Sequence, residues 1–174
     1  VVVLEESYAK SAIIEKNDKK FGLIELPKFY VDFKNYGERN AATDVKKALI
    51  SFKEKSINGV IIDLRNNGGG ALIEANRIIG LFVSSGPTVQ VKHSRGYIQP
   101  YGDTRAVQVW KKPLLILVNR YSASASEIVA GALRDHKRAI ILGENTYGKG
   151  SVQSIIPLSD GGGIRITVST VSYT

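Results

Sequence analysis

Three short runs, "GVIIDL" (59–64), "PLLILV" (113–118) and "RAIILG" (138–143), are almost continuously apolar and are bounded by Gly, Pro or charged residues. Runs of this length and character suit strands buried on both faces, as in a parallel sheet. Helical periodicity follows the first two, with Leu72, Ala75, Ile79 and Phe82 on one face and Ile128, Val129, Ala132 and Leu133 on another. The pattern predicts a repeated strand, tight loop and helix with right-handed crossovers. In such sheets ligands sit at the carboxyl ends of the strands, so the loops after the runs carry the functional interest.

The flanking segments read differently. Val1–Leu4, Ser11–Glu15 and Phe21–Leu26 alternate apolar and polar around charged turns such as "EKNDKK", and predict antiparallel strands in a β-rich part over residues 1–40. From Thr43, the spacing of Val45, Ala48, Leu49 and Phe52 predicts an amphipathic helix ending near Ser56–Gly59. After Lys149, "SVQSIIPL" and "GIRITVSTVSY" flank "SDGGG" and predict a C-terminal hairpin. With 174 residues and 43% apolar content, the chain is expected to form one domain, 1–174, with residues 41–174 as its core. No apolar run approaches the roughly 20 residues of a membrane span. Absence of Cys excludes disulfides, thiol catalysis and Cys-type zinc sites. The net charge of +8 is spread along the chain without a basic stripe, which argues against a nucleic-acid partner. The chain begins at Val1 and contains no Met, which suggests a processed or excised piece whose targeting signals lie elsewhere.

Three loops carry candidate chemistry. "RNNGGG" (65–70) joins a strand to a helix; its glycines either serve a tight turn or aim backbone N–H groups at an anion or oxyanion. "YSASASEI" (121–128) places Ser124 three residues before Glu127, which fits a helix capping box. It equally fits a nucleophile at a helix N-terminus, with the adjacent Ala125 N–H available to an oxyanion. A base is then needed. His136 follows Asp135 directly and His93 stands among polar residues, so both read as surface side chains, and no G-x-S-x-G elbow occurs. A neutral lysine can serve instead, as in Ser–Lys hydrolases. "GENTYGKGSVQ" (143–153) supplies Lys149 between two glycines. It nearly matches a phosphate-binding loop, but Gly150 stands where Ser or Thr should, and a strand pattern follows instead of a helix, so nucleotide binding is rejected.

Together, "DLRNNGGGALIEA" (63–75), "SASASEIVAGALRD" (122–135) and "GENTYGKGSVQ" (143–153), in this order, resemble the tail-specific or C-terminal processing peptidases, serine enzymes with a Ser–Lys dyad. The resemblance extends loosely from Phe21 to Val168. It implies Ser124 as nucleophile, Lys149 as general base and Gln153 as the residue that orients the lysine. It also implies an oxyanion hole from the N–H groups of Ala125 and of Gly68 or Gly69, and a supporting role for Asp135.

The fold implied is α/β, a ClpP/crotonase-like core of repeated β-β-α units with an N-terminal β-rich segment and a C-terminal β-hairpin. The activity implied is cofactor-free, metal-free proteolysis of proteins with apolar C-terminal tails, in a bacterial periplasmic or other extracytoplasmic setting. Members usually carry a PDZ-like domain that captures C-termini by strand addition; no segment here has room for one, and the chain is expected to be an isolated catalytic core. The competing expectation is a non-catalytic scaffold of the same fold that binds a peptide or an apolar ligand. The joint presence of Ser124, Lys149 and Gln153 favours the enzyme.

Overall fold

The computed structural model describes residues 7–31, 39–93, 96–102 and 107–172; the expected strand Val1–Leu4 lies outside them. Strands β1 (Lys10–Lys16) and β2 (Lys19–Glu25) form an antiparallel hairpin. Asn17 and Asp18 turn it, both at positive φ (50° and 59°), the combination that matches strand twist in a two-residue turn. Helix α1 (Ala41–Glu54) starts two residues before the expected Thr43, because the Asn40 side chain caps it by accepting the Thr43 N–H at 2.9 Å. Its apolar stripe, Val45, Leu49 and Phe52, is buried. A side chain at Gly22 on β2 would run into the Phe52 ring, so that glycine lets the helix settle onto the sheet.

The three apolar runs become β3 (Gly59–Asp63), β6 (Leu114–Val118) and β7 (Ile140–Gly143), with α2 (Leu72–Gly80) and α3 (Ala125–Asp135) between them. They lie parallel in a five-stranded sheet of order β1-β2-β3-β6-β7. The C-terminal hairpin forms as β8 (Ser151–Pro157) and β9 (Gly163–Ser172), but it joins a second, antiparallel sheet of order β5-β4-β9-β8. Strands β4 (Val89–His93) and β5 (Ile98–Tyr101) of that sheet were not anticipated; they are four or five residues long and carry polar residues at alternate positions.

Burial of the parallel strands on both faces does not hold. Val60, Ile62, Leu114, Ile116 and Val118 share one face through the register and are buried, whereas Ile61, Leu115 and Leu117 on the other face are half-buried. On the edge strand β7, Ile140 and Leu142 are 70% and 57% exposed. The strand order explains this. From β2 to β7 the chain adds parallel neighbours in one direction, and right-handed crossovers then put every helix on the same side of the sheet. Among the described residues, no helix is long and apolar enough to cross a membrane.

Candidate active site

The loops after β3, β6 and β7 leave the carboxyl ends of neighbouring parallel strands and meet there, as open α/β sheets require. Hydrogen bonds stitch them together. The Ala123 N–H and the Ser126 hydroxyl both donate to the Asn67 carbonyl, at 3.0 and 2.8 Å. The Ser122 hydroxyl donates to the Leu64 carbonyl at 2.8 Å, and the Tyr147 N–H donates to the Ser122 carbonyl at 3.0 Å. Asn67 is fully buried and spends its side chain within the same knot, donating to the Leu26 carbonyl at 2.7 Å and accepting the Gly69 N–H at 2.8 Å.

The serine run divides by function. Ser122 and Ser126 are fully buried; Ser122 ties the segment before α3 to Leu64 at the end of β3, and Ser126 ties α3 to the glycine loop at Asn67. Ser124 stands at the N-cap of α3, yet its side chain makes no capping hydrogen bond. Ser124 and Glu127 nonetheless stand as the two members of a capping box, and Glu127 reaches back to accept the Ser124 N–H at 2.8 Å. Ser124 adopts φ 56° and ψ −113°, a conformation that costs a non-glycine residue of order 1–3 kcal/mol and clusters at functional sites. The capping position is therefore held by a serine in a strained conformation.

Ser124, Ala125, Lys149 and Gln153 line one cleft of about 210 Å³, together with Gly70, Leu72 and Arg165 among others. β8 positions Gln153, while Lys149 sits just before it on the glycine-flanked loop. Pairing of Ile155 with Arg165 and of Gln153 with Thr167 puts Gln153 and Arg165 on one face of the hairpin. Among the described residues, no hydrogen bond joins Ser124, Lys149 and Gln153 side chains to one another. Among the described residues, Lys149 and Arg165 are the charged ones lining this cleft, and no carboxylate lines it. A roomier depression of about 480 Å³ lies beside Asp63 and Arg65 and contains none of the expected catalytic residues. There, burial would raise the Asp63 carboxyl, but hydrogen bonds from Arg65, as close as 2.6 Å, prevail and hold it below the ordinary range.

Sequence reasoning treated Glu127 as half of a cap and did not anticipate its further bonds. Its buried carboxylate also accepts the Thr146 hydroxyl at 2.8 Å, the Gly148 N–H at 2.7 Å and the Lys149 N–H at 2.9 Å. The S-x-x-E spacing was the available signal, but it says nothing of partners about twenty residues away. Arg165 carried no signal at all.

Of the two oxyanion glycines, Gly69 donates its N–H to Asn67, while the N–H groups of Gly68 and Ala125 make no hydrogen bond among the described residues. Asp135 is not brought to the cleft. It ends α3, roughly 16 Å from Ser124 at the helical rise per residue, and pairs with Arg134 at 2.9 Å. The histidines lie elsewhere too: His136 meets the Pro87 carbonyl at 2.8 Å and His93 meets the Ser169 hydroxyl at 3.2 Å.

Residues 20–173 match the model of the family described as peptidase family S41. The chain is 42% identical over 152 residues to a tail-specific protease of Haemophilus influenzae, covering 87% of this chain and 21% of that protein. It is 40% identical over 154 residues to a chloroplastic carboxyl-terminal-processing peptidase of Arabidopsis thaliana, covering 88% of this chain and 28% of that protein. It thus spans between a fifth and a third of these curated relatives. The solved photosystem II D1 C-terminal processing protease superposes with a TM-score of 0.75 at 34% identity, over 88% of this chain and 38% of that one. On the match across nearly its whole length, this chain belongs to peptidase family S41.

Proposed function

We propose that the chain is the catalytic core of a serine endopeptidase that cleaves proteins bearing apolar C-terminal tails, with Ser124 as nucleophile and Lys149 as general base. The observation that carries this reading is the strained Ser124 in the cleft that Lys149 and Gln153 also line. Family membership and the names of the relatives, a tail-specific protease and C-terminal processing peptidases, support it.

In the reaction, Lys149 Nζ accepts the hydroxyl proton as Ser124 Oγ bonds to the scissile carbonyl carbon. The resulting oxyanion takes hydrogen bonds from Ala125 and Gly68; Gly69 is left out because Asn67 holds its N–H. The tetrahedral intermediate collapses, the C–N bond breaks, and Lys149 returns the proton to the leaving amine. Water, deprotonated by Lys149, then attacks the acyl-enzyme and frees the new C-terminus. Gln153 orients the lysine amine. An apolar pocket of about 450 Å³ adjoins the cleft through Leu72, with Ile73 and Tyr101 on its wall, and suits an apolar substrate side chain. The bacterial and chloroplastic relatives support a setting outside the cytoplasm.

The test compares Ser124→Ala and Lys149→Ala with the parent on a protein ending in an apolar tail and on the same protein ending in charged residues. Loss of turnover in both variants with the fold retained, together with preference for the apolar tail, is the expected result. Turnover surviving in either variant would remove the dyad, and binding without turnover in the parent would favour the scaffold reading.

A further inference from the structure

The bonds of Glu127 exceed what helix capping requires. A capping box uses one acceptor oxygen for one N–H. Here, one carboxylate that is 5% exposed takes four donors: Ser124 N–H and Lys149 N–H on Oε2 at 2.8 and 2.9 Å, and Gly148 N–H and Thr146 Oγ–H on Oε1 at 2.7 and 2.8 Å. Both oxygens are thus fully used by two hydrogen bonds each, which is the ordinary capacity of a carboxylate. Three of the donors belong to the loop that carries Lys149, and the fourth is the backbone of Ser124. Charge-assisted bonds of this kind are the stronger class. Three of the four bonds fall on backbone groups, those of Ser124, Gly148 and Lys149, so the clamp sets where the Lys149 stem emerges relative to Ser124. The loop needs such a tie, because Gly148 and Gly150 flank Lys149 and Gly148 sits at φ +85°.

We infer that Glu127 is a positioning residue that fixes the Lys149 loop to the Ser124 backbone and thereby sets the approach of base to nucleophile. This rests on the Ser–Lys reading of the cleft. It assigns Glu127 no contact with substrate and no proton transfer. Its effect therefore falls on the chemical step: a shift of about 1 Å in a reacting group costs about 100-fold in rate, while substrate binding is left in place.

Two measurements on the full polypeptide test it. Glu127→Gln keeps the shape but turns an –NH2 toward two of the four donors. The expected result is a kcat lower by about 100-fold with KM within about twofold, and faster hydrogen exchange at the Gly148 and Lys149 amides than in the parent. A folded variant whose kcat stays within about threefold, or whose exchange at those amides is unchanged, overturns the inference. The second uses the unsubstituted protein, so it holds even where the variant fails to fold. The Gly148 and Lys149 amides, held by Glu127, should exchange with solvent far more slowly than amides of exposed loops, and exchange as fast as in those loops would equally overturn the clamp. Failure of the Ser–Lys reading appears separately, as turnover that survives Ser124→Ala in the same assay.

Discussion

Gly69 lies so close to Ser124 that a methyl group on its Cα would stand 2.9 Å from the Ser124 Cβ and 2.8 Å from the Ala123 carbonyl oxygen. Its φ of +103° is also one that side chains rarely adopt. The glycine loop and the serine loop can therefore meet only if this position stays bare. Gly69→Ala is expected to lower stability by about 2 kcal/mol or more, from backbone strain and overlap together, and to displace Ser124 enough to abolish turnover. Gly68 has open space where a side chain would begin, so Gly68→Ala is expected to be much milder in urea denaturation.

The three serines of "SASAS" should separate cleanly by stability. Ser122→Ala and Ser126→Ala each remove a buried hydrogen bond, to the Leu64 and Asn67 carbonyls, which keep the Asn67 and Ala123 N–H donors, at an expected cost of about 0.5–1.5 kcal/mol. Ser124→Ala removes no capping bond, so it should lack the loss of about 1 kcal/mol that a true N-cap serine shows. Ser124→Gly should raise stability, because glycine relieves the positive φ. Chemical denaturation of the four variants measures all of this, and a Ser124→Ala penalty matching the other two would restore the capping role.

Much of this arrangement could be read from the chain before its fold was known, and the reasons for the gaps are physical. The apolar runs at β3, β6 and β7 and the stripe at Val45, Leu49 and Phe52 are local patterns, so periodicity found them. β4 and β5 are only five and four residues long, and on β5 the apolar Ile98 is exposed while Gln99 is half-buried, so the local pattern there was too short and too mixed to mark a strand. The knot at Asn67 and the clamp at Glu127 join residues far apart in sequence; each residue type was visible, but the partner was not. Even the family resemblance could not say that Asn67 takes the Gly69 N–H, because that choice is made by packing around Leu26 and Leu64.

The one-sided sheet gives a contrast within β7 and its neighbour. Ile140 is 70% exposed on the open face, whereas Ile116 is fully buried against the helices. Ile140→Lys is expected to change stability by no more than about 0.5 kcal/mol. Ile116→Lys buries an unpaired ammonium and is expected to prevent folding. Thermal melts of the two variants would decide it; strong destabilisation by Ile140→Lys would mean that another layer covers that face in solution.

Asp44 gives the acid side of the stability curve. Burial would raise its carboxyl, but hydrogen bonds from the Tyr30 phenol at 2.7 Å and the Arg39 guanidinium at 2.9 Å outweigh it and hold it below the ordinary range. Burial pushes the Tyr30 phenol up, so that group remains protonated as a donor. With the folded value depressed, the ionised carboxylate stabilises the fold fully above its unfolded value of about 3.9, and that contribution is lost as pH falls through the folded value. Asp44→Asn should therefore be less stable than the parent near pH 7, with the difference closing as the solution is acidified below about pH 4. Urea midpoints for both proteins across that range measure it. A difference that stays constant down to about pH 2 would mean that the Asp44 charge contributes nothing and that only the shape of the side chain matters.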